Sequence, residues 1–574
     1  MNRAKILLIA VVFLSTASIC QADDSHEAKL AKLETESSQS TVAEKSKSKE
    51  KTLAEKIDEM EANLKLQQSK KAQATRNSQI KSAEAKSNSQ TSDSNLMNKL
   101  KLGTQPFRAT NEWNSFLMKP IAINFLGSAN ASAKPGPKYL NLRPNEDFSY
   151  LGGPEGSYVS DPWDSIKWIS IGENWHLTLG GQARLRLESE TDKGFGGTSP
   201  SQDTFILQRY FLHADLKHAD GLRFFLQGKF AHINNRDIDS GWAGFEDHAD
   251  IHQAFADVPT MFRDQPVVVR LGRHELQYGK QRLISPLDWG NVRRTFDGIK
   301  VFADLPDWRI DAFAVRPIIN DRRNLDDEDE NKDFYGLYTT WKGSKALAAD
   351  FYLLLLKDDN TTTNSNSNSG RRTVYTIGNR LWGKRGSWDY ETEAAAQFGT
   401  YAGDRIRAWM ATAGGGYTFA DVVWKPRIGL LYDYASGDRH PSDSTHSTFN
   451  QLFPLGHAWL GYLDRVGRSN IHAIKAQIKV KPCKKITAWA DFHTFFADQD
   501  QDSLYGANGS AIRSGGTGGS HKFGHELDLT MKYAINKHTA ALVGWAHMFP
   551  GGFIDRTGTN DDADLFYAQV EYKF

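Results

Sequence analysis

The clearest alternating pattern in the chain is WHLTLGGQARLRLESE, from Trp175 to Glu190. Every second residue from Leu177 to Leu187 is apolar or small, and the residues between them are mostly polar or charged. A period of two residues is typical of a β-strand whose two faces meet different surroundings. The stretch is longer than the roughly 9–11 residues that a tilted strand needs to cross a membrane. It therefore predicts a strand that presents Leu185 to lipid and Arg184 and Arg186 to a polar interior.

The same alternation returns near the C-terminus. In His525–Ala534, leucine, methionine and tyrosine alternate with glutamate, aspartate, threonine and lysine. In Phe566–Phe574, the last residues of the chain, aromatic and small apolar residues alternate with Gln569, Glu571 and Lys573. Both stretches predict two-faced strands of the same kind.

The connections between the predicted strands tend to alternate between short and long. Short connections are expected at 217–221, 305–307, 342–345, 384–387, 482–485 and 537–539, and long ones at 234–249, 320–333, 358–371, 437–470 and 497–521. Residues 401–405 are an exception, since this connection is short where a long one is due. Short turns on one side and long loops on the other are typical of outer-membrane barrels. We therefore predict an all-β fold, a transmembrane antiparallel β-barrel of about eighteen strands.

Composition is compatible with this fold. The hydrophobic fraction is 39% and the mean hydropathy is −0.54, which would suit a soluble protein, but only every second residue of a barrel strand meets lipid. Lysine and arginine number 70 against 69 acidic residues, so the net charge indicates no partner. After the predicted signal peptide only Cys483 remains, which excludes a disulfide framework and a cysteine-based metal site.

The residues before the barrel divide into three parts. Residues 1–22 have a basic start, an apolar run and small residues before Asp23, which predicts a signal peptide. Residues 23–105 are rich in charged and small polar residues and lack aromatic ones, so they cannot build a core. They are expected to form a periplasmic spacer or, from the apolar positions Leu53, Ile57, Met60 and Leu64, a short coiled coil. Residues 106–174 are a transition segment before a barrel of residues 175–574.

Deleting residues 23–105 is expected to leave barrel insertion intact, because no strand pattern begins before about Trp175. The measurement is heat-modifiable migration of the membrane-inserted protein. Loss of insertion would contradict the assignment of these residues as a spacer.

Residues 270–298 read RLGRHELQYGKQRLISPLDWGNVRRTFDG, and this stretch resembles the signature of the alginate-export outer-membrane proteins. The stretch Asn450–Ile471 is similar to a long external loop of the same family, and the resemblance extends from near Tyr150 to the C-terminus. It implies an eighteen-stranded barrel with an arginine-lined, anion-selective pore. Two features depart from the family pattern: the turn at 537–539 is short where the alginate exporter has a long periplasmic turn able to plug the lumen, and the N-terminal tail is extra.

Basic residues on the predicted inner face are candidate contacts for an acidic sugar chain. Arginine offers a planar, permanently charged donor pair that matches a carboxylate, and a transport path needs several weak sites rather than one tight site. The candidates expected to point at the lumen are Arg184, Arg186, Arg209, Arg223, Lys229 and Arg270, and those expected toward the external mouth are Arg273, Arg282, Arg293 and Arg294. Alternatively, these residues brace the wall by pairing with Glu188, Glu190, Asp215, Asp257, Glu275 and Asp297.

Other chemistries find little support in the sequence. The acidic run from Asp326 to Glu330 lacks the spacing and glycine of a calcium loop, the histidines lack metal-ligand spacing, and no nucleophile motif is present. We expect no enzyme, no cofactor, no metal and no nucleic-acid partner. The expected function is a bacterial outer-membrane channel for an acidic polysaccharide or oligosaccharide, with outer-membrane lipid around it and its N-terminal extension in the periplasm. The alternative is a general porin whose tail anchors it to other envelope components or self-associates.

Overall fold

The computed structural model describes residues 134–136, 138–154, 158–237, 244–516 and 519–574. The predicted signal peptide and the predicted spacer or coiled coil therefore lie outside the described residues.

Eighteen long antiparallel strands close into a barrel. They are β1 Trp175–Thr191, β2 Gln202–His218, β3 Arg223–Asn234, β4 Asp247–Phe262, β5 Gln265–His274, β6 Phe296–Asp304, β7 Trp308–Ile319, β8 Lys332–Trp341, β9 Ala348–Thr363, β10 Ser369–Arg385, β11 Trp388–Tyr401, β12 Asp404–Thr418, β13 Arg427–Ala435, β14 Ile471–Val480, β15 Ile486–Phe496, β16 Lys522–Ala534, β17 Thr539–Pro550 and β18 Ala563–Lys573. Each strand pairs with its neighbour in sequence, and β18 pairs with β1 to close the ring. The closed sheet has no exposed edge that could pair with another chain.

The faces of the strands follow the predicted alternation. In β1, Arg184 and Arg186 are buried inside the barrel, whereas Leu185 and Leu187 are exposed on its outer surface. In β16 the inward positions carry Glu526, Asp528 and Thr530, all nearly inaccessible. The apolar outer face and the polar interior are the arrangement that a barrel in a bilayer requires.

The connections alternate as expected, with one difference in length. Residues 358–371 do not form a long loop, because β9 and β10 extend to Thr363 and Ser369 and leave only residues 364–368 between them. The shift in register between Asp358 and Thr362 lets the hairpin continue beyond the last regular pair. The connections 401–405 and 537–539 are short, as the sequence predicts.

Smaller elements decorate the barrel. The short strand Ile169–Ile171 pairs with β1, Asp327–Glu328 pairs with β7, and Thr445–His446 pairs with β12. The helix α1, Gly552–Thr557, lies between β17 and β18. Among the described residues, no helix combines the length and the apolar character needed to cross a membrane.

Candidate functional site

The loop between β5 and β6, residues 275–295, folds back into the barrel instead of extending away from it. Its apolar side chains Leu276, Leu283, Ile284 and Val292 are buried, each no more than 5% exposed. The inward arginines of β1 and β2 hold the loop through its backbone carbonyls. Arg184 donates to the carbonyls of Asp288 at 2.7 Å and Gly290 at 2.9 Å, and Arg186 donates to that of Trp289 at 2.7 Å.

Asp288 is the electrostatic anchor of the β5–β6 loop. Its carboxylate lies 2.8 Å from a guanidinium nitrogen of Arg209 and 3.2 Å from one of Arg293. Burial alone would raise the pKa of Asp288, but the guanidiniums of Arg293, Arg209 and Arg184 outweigh it and hold that pKa well below its usual range. The carboxylate is therefore ionised at every pH at which the barrel would work.

The loop between β13 and β14, residues 436–470, meets the β5–β6 loop inside the barrel. Ile284 and Phe453 form an isolated β-bridge, and the rings of Trp289 and His457 stack with centroids 3.7 Å apart. The indole nitrogen of Trp459 donates to the carbonyl of Lys280 at 3.0 Å. The two loops thus form one layer across the lumen.

A segment that precedes β1, residues 139–150, occupies the barrel end where the short turns lie. Arg143 and Glu146 pair at 3.0 Å with little exposure, and Arg143 donates to the backbone oxygen of Phe574. Asn141 donates to the Asp288 carboxylate at 3.1 Å, and its carbonyl accepts from Arg293 at the same distance. We call residues 139–150 the pre-barrel segment; it lies against the β5–β6 loop.

A large cavity of about 490 Å³ lies in the short-turn half of the lumen, on the β10–β15 side. Its basic residues are Lys280, Arg380, Arg427, Lys475 and Lys479, its acidic residues are Asp389, Glu391 and Asp491, and its inward aromatic residues are Trp382, Trp459, Tyr462 and Trp489. The basic side chains outnumber the acidic ones by five to three. The large cavity therefore combines a positive excess with several flat aromatic surfaces.

A small cavity of about 250 Å³ lies on the other side of the lumen, beside the pre-barrel segment. Arg270, Lys300 and Arg309 contribute its positive charge, and Tyr278 and Tyr338 stack with centroids 4.6 Å apart in its wall. Lys300 and Arg309 both pair with Asp311, at 2.8 and 2.7 Å. The small cavity is therefore closer to neutral than the large one.

The ten basic residues singled out from the sequence mostly form ion pairs. Five of the partners proposed for wall bracing are present: Arg186 pairs with Glu188, Arg223 with Asp215, Arg270 with Asp257, Arg273 with Asp297 and Arg293 with Glu275. Lys229 pairs with Asp247 and Asp326, and Arg184 and Arg209 hold the β5–β6 loop. Arg270 lines the small cavity. Contact of these residues with a solute stays a prediction.

The structure corrects the position of the residues expected at the external mouth. Arg282 is 1% exposed and pairs with Glu391 and Glu393, and Arg293 is 2% exposed and reaches the pre-barrel segment. Arg294, in the same loop, donates to the carbonyl of Ser285. They lie inside the barrel because the β5–β6 loop folds inward. Arg273 stays at the end of β5, where it pairs with Asp297.

Several residues of the large cavity are absent from the candidates predicted from the sequence. Lys475, Gln477 and Lys479 alternate along β14 and could have been found by the same period of two. Lys280 and Trp459 could not, because they reach the cavity only through the inward folding of two loops.

The sequence profile of the family described as alginate export matches residues 175–568. Among solved structures, the chain is similar to OccD3 (OpdP) of Pseudomonas aeruginosa, with 12% identity, a TM-score of 0.48 and coverage of 69% of this chain and 91% of that one. It is also similar to the outer membrane protein OprD from the same organism, with 12% identity, a TM-score of 0.47 and coverage of 69% and 93%. No curated protein sequence matches significantly.

The family match covers more than half of the chain and spans almost the whole barrel, including the loop that folds into the lumen. It indicates an outer-membrane channel rather than an enzyme. The chain belongs to the alginate-export family of outer-membrane β-barrel proteins.

Proposed function

We propose that this protein is an anion-selective channel that passes an acidic polysaccharide or oligosaccharide across the outer membrane. The observation that carries the proposal is the lining of the large cavity, where basic and aromatic side chains are interleaved. Cationic groups attract the carboxylates of uronic acids, and flat aromatic rings offer apolar surfaces against which sugar rings can lie.

Lys280 and Lys479 are the strongest candidates for solute contact. Neither ammonium group forms an ion pair with a residue in the described ranges. Lys280 is exposed to the lumen from the β5–β6 loop, and Lys479 lies over the Trp489 ring with its nitrogen 5.7 Å from the centroid. An unpaired ammonium keeps its full attraction for a passing anion, because no fixed carboxylate neutralises it.

The remaining basic residues of the large cavity contribute less net charge. Arg380 pairs with Asp350 at 3.0 Å, Arg427 with Asp389 at 2.5 Å, and Lys475 lies 3.8 Å from Asp491. Such pairs shape the wall and leave the site weak. A channel needs weak sites, since a solute held tightly would not leave.

Reversing the two unpaired charges tests the proposal. Lys280→Glu combined with Lys479→Glu is expected to lower the anion-to-cation permeability ratio by about tenfold, since one unit charge at about 4 Å contributes on the order of 1 kcal/mol even in water. Block of the current by uronate oligosaccharides should weaken in parallel. The measurement is the reversal potential of single channels under a salt gradient.

Lys425→Glu is the matched control, because it reverses an exposed lysine in the short turn between β12 and β13. It should leave the ratio and the block close to wild type. An unselective wild-type channel, or a double variant with unchanged selectivity, would instead support a general porin.

A further inference from the structure

Four inward side chains of β15 and β16 form an unusual square in the lumen wall. Asp491 stands directly opposite Asp528, and His493 stands directly opposite Glu526. Their exposed fractions are 3%, 0%, 1% and 0% respectively. We call these four residues the acidic square.

The acidic square breaks two rules of sheet and core energetics. Like charges directly opposite each other on neighbouring strands are destabilising, and buried charges are expected to be paired. In the described ranges the acidic square has one lysine in ion-pair range, Lys475, which lies 3.8 Å from Asp491. Lys475 offsets the charge of Asp491 alone. The negative charges of Glu526 and Asp528 have no lysine or arginine ion-pair partner among the described residues.

Two carboxylates of the acidic square accept a hydrogen bond from outside it: Asp491 accepts from Gln477 at 2.8 Å, and Glu526 accepts from the backbone N–H of Leu463 at 2.9 Å. Both carboxylate oxygens of Asp528 and one of Glu526 are buried, and none of these three atoms accepts a hydrogen bond of ordinary geometry from a described residue. The Nε2 atom of His493 points at Asp528, 3.2 Å from its Oδ2 atom. Asp528 and His493 are thus buried polar groups that face one another, with the Glu526 carboxyl group and the backbone N–H of Tyr462 also close to Asp528.

Another acidic cluster of the same barrel shows how such a cluster is normally satisfied. Asp247, Asp250 and Asp326 surround the ammonium of Lys229, which lies 2.6, 4.0 and 3.0 Å from their oxygens. A cation of the protein itself therefore sits among these three carboxylates. In the acidic square the position between the carboxylates is taken by the imidazole of His493 instead of a lysine.

We propose that Asp491, His493 and Asp528 bind a divalent transition-metal ion, with Zn²⁺ as the best match. One ligand atom from each residue lies within 4.8 Å of the others, so that small rotations of the side chains can bring the three atoms to the roughly 3.3–3.6 Å separations of ligands on a tetrahedral Zn²⁺. A mixed set of one imidazole and two carboxylates suits Zn²⁺ better than Ca²⁺ or Mg²⁺, which prefer oxygen alone. Asp491 also lines the large cavity, which gives the ion a path from the aqueous lumen.

The bound ion would fix the loop that narrows the channel. The backbone N–H of Leu463, in the β13–β14 loop, donates to Glu526 at 2.9 Å. Gly461 has a φ of +93°, and a Cβ atom added there would lie 2.4 Å from the Glu526 carboxyl group. The tip of the loop therefore rests on the acidic square, and a cation that orders the carboxylates also holds the tip.

A second group of potential ligands, His232, Glu246 and His248, provides the matched control. Their ligand atoms also lie within 4.8 Å of one another, but the Glu246 carboxylate is already neutralised by Arg322 at 2.5 Å. The side chains of His232 and His248 are 32% and 40% exposed. Binding at that group would be lost in His232→Gln and retained in His493→Gln.

The test uses the full-length protein in detergent, stripped with chelator and titrated with Zn²⁺ in a calorimeter and with Co²⁺ in an absorption spectrometer. Wild type should bind one equivalent and give Co²⁺ d–d bands with an imidazole–carboxylate signature. His493→Gln and Asp528→Asn should each weaken Zn²⁺ binding at least tenfold, whereas His232→Gln should bind as wild type does. Asp528→Asn removes the repulsion between Asp528 and the neighbouring carboxylates and should therefore fold. It tests Zn²⁺ binding at the acidic square even if His493→Gln does not insert.

Two results would overturn the proposal. One is wild-type protein that takes up no Zn²⁺ at neutral pH, which would mean that protons instead of a metal neutralise the acidic square. The other is binding that survives Asp528→Asn and His493→Gln but disappears in His232→Gln. Zn²⁺ should also reduce the gating noise of single wild-type channels and leave that of Asp528→Asn unchanged.

Discussion

Removing residues 139–150 is expected to raise the single-channel conductance several-fold. The pre-barrel segment lies at the short-turn end of the lumen, where Arg143 donates to the backbone oxygen of Phe574 and Asn141 bonds to Asp288 and Arg293 of the β5–β6 loop. Arg223, on the barrel wall, also donates to the carbonyl of Pro144 at 2.8 Å. Planar bilayer recordings of the deleted and intact proteins provide the measurement.

Two further variants distinguish obstruction of the channel by the pre-barrel segment from a general folding defect. Arg143→Ala removes the pair with Glu146 and the bond to Phe574 and should give a smaller increase, seen as brief openings. Deletion of 23–105 leaves the pre-barrel segment in place and should not change conductance. If the protein without residues 139–150 inserts and conducts like wild type, the segment does not obstruct the channel.

Asp288→Asn is expected to release the β5–β6 loop from the wall. The change keeps the size of the side chain but leaves Arg209 and Arg293 without their shared carboxylate. Breaking a buried ion pair costs roughly 3–5 kcal/mol, and the lower end applies because the Asp288 side chain is 27% exposed. The expected result is a larger and noisier conductance and faster proteolysis within residues 275–295.

The pH dependence of this effect follows from the depressed pKa of Asp288. A carboxyl group whose pKa is lowered in the docked loop stabilises docking above its ordinary value of 3.8, and that stabilisation is lost only as the pH falls through the lowered value. The difference between Asp288→Asn and wild type should therefore stay constant between pH 5 and 8. Asp359→Asn, which breaks the exposed pair with Arg371, is the control and should have no effect on conductance. Equal proteolysis of the two variants would contradict the anchoring role.

The sequence was sufficient for the barrel wall. Alternation in Trp175–Glu190, in His525–Ala534 and at the C-terminus predicted which residues face lipid, and the structure places them so. The direction of each side chain in a strand follows from its own position in the sequence. A slip by one residue would turn every charge toward lipid, so the register of these strands is strongly specified. The one misjudged connection, 358–371, consists mostly of threonine, asparagine and serine, which suit either a loop or the end of a long hairpin.

The contents of the lumen, in contrast, depend on contacts between residues far apart in the sequence. The arginines that alternation pointed at the lumen meet the β5–β6 loop, the pre-barrel segment and neighbouring carboxylates, so that Arg184, Arg209 and Arg293 are buried rather than open to solutes. Whether a lumen charge is free or paired depends on loops that return from far along the chain. Such long-range contacts produce no periodic pattern in the sequence, whereas the direction of each side chain in a strand is set by the backbone of that strand.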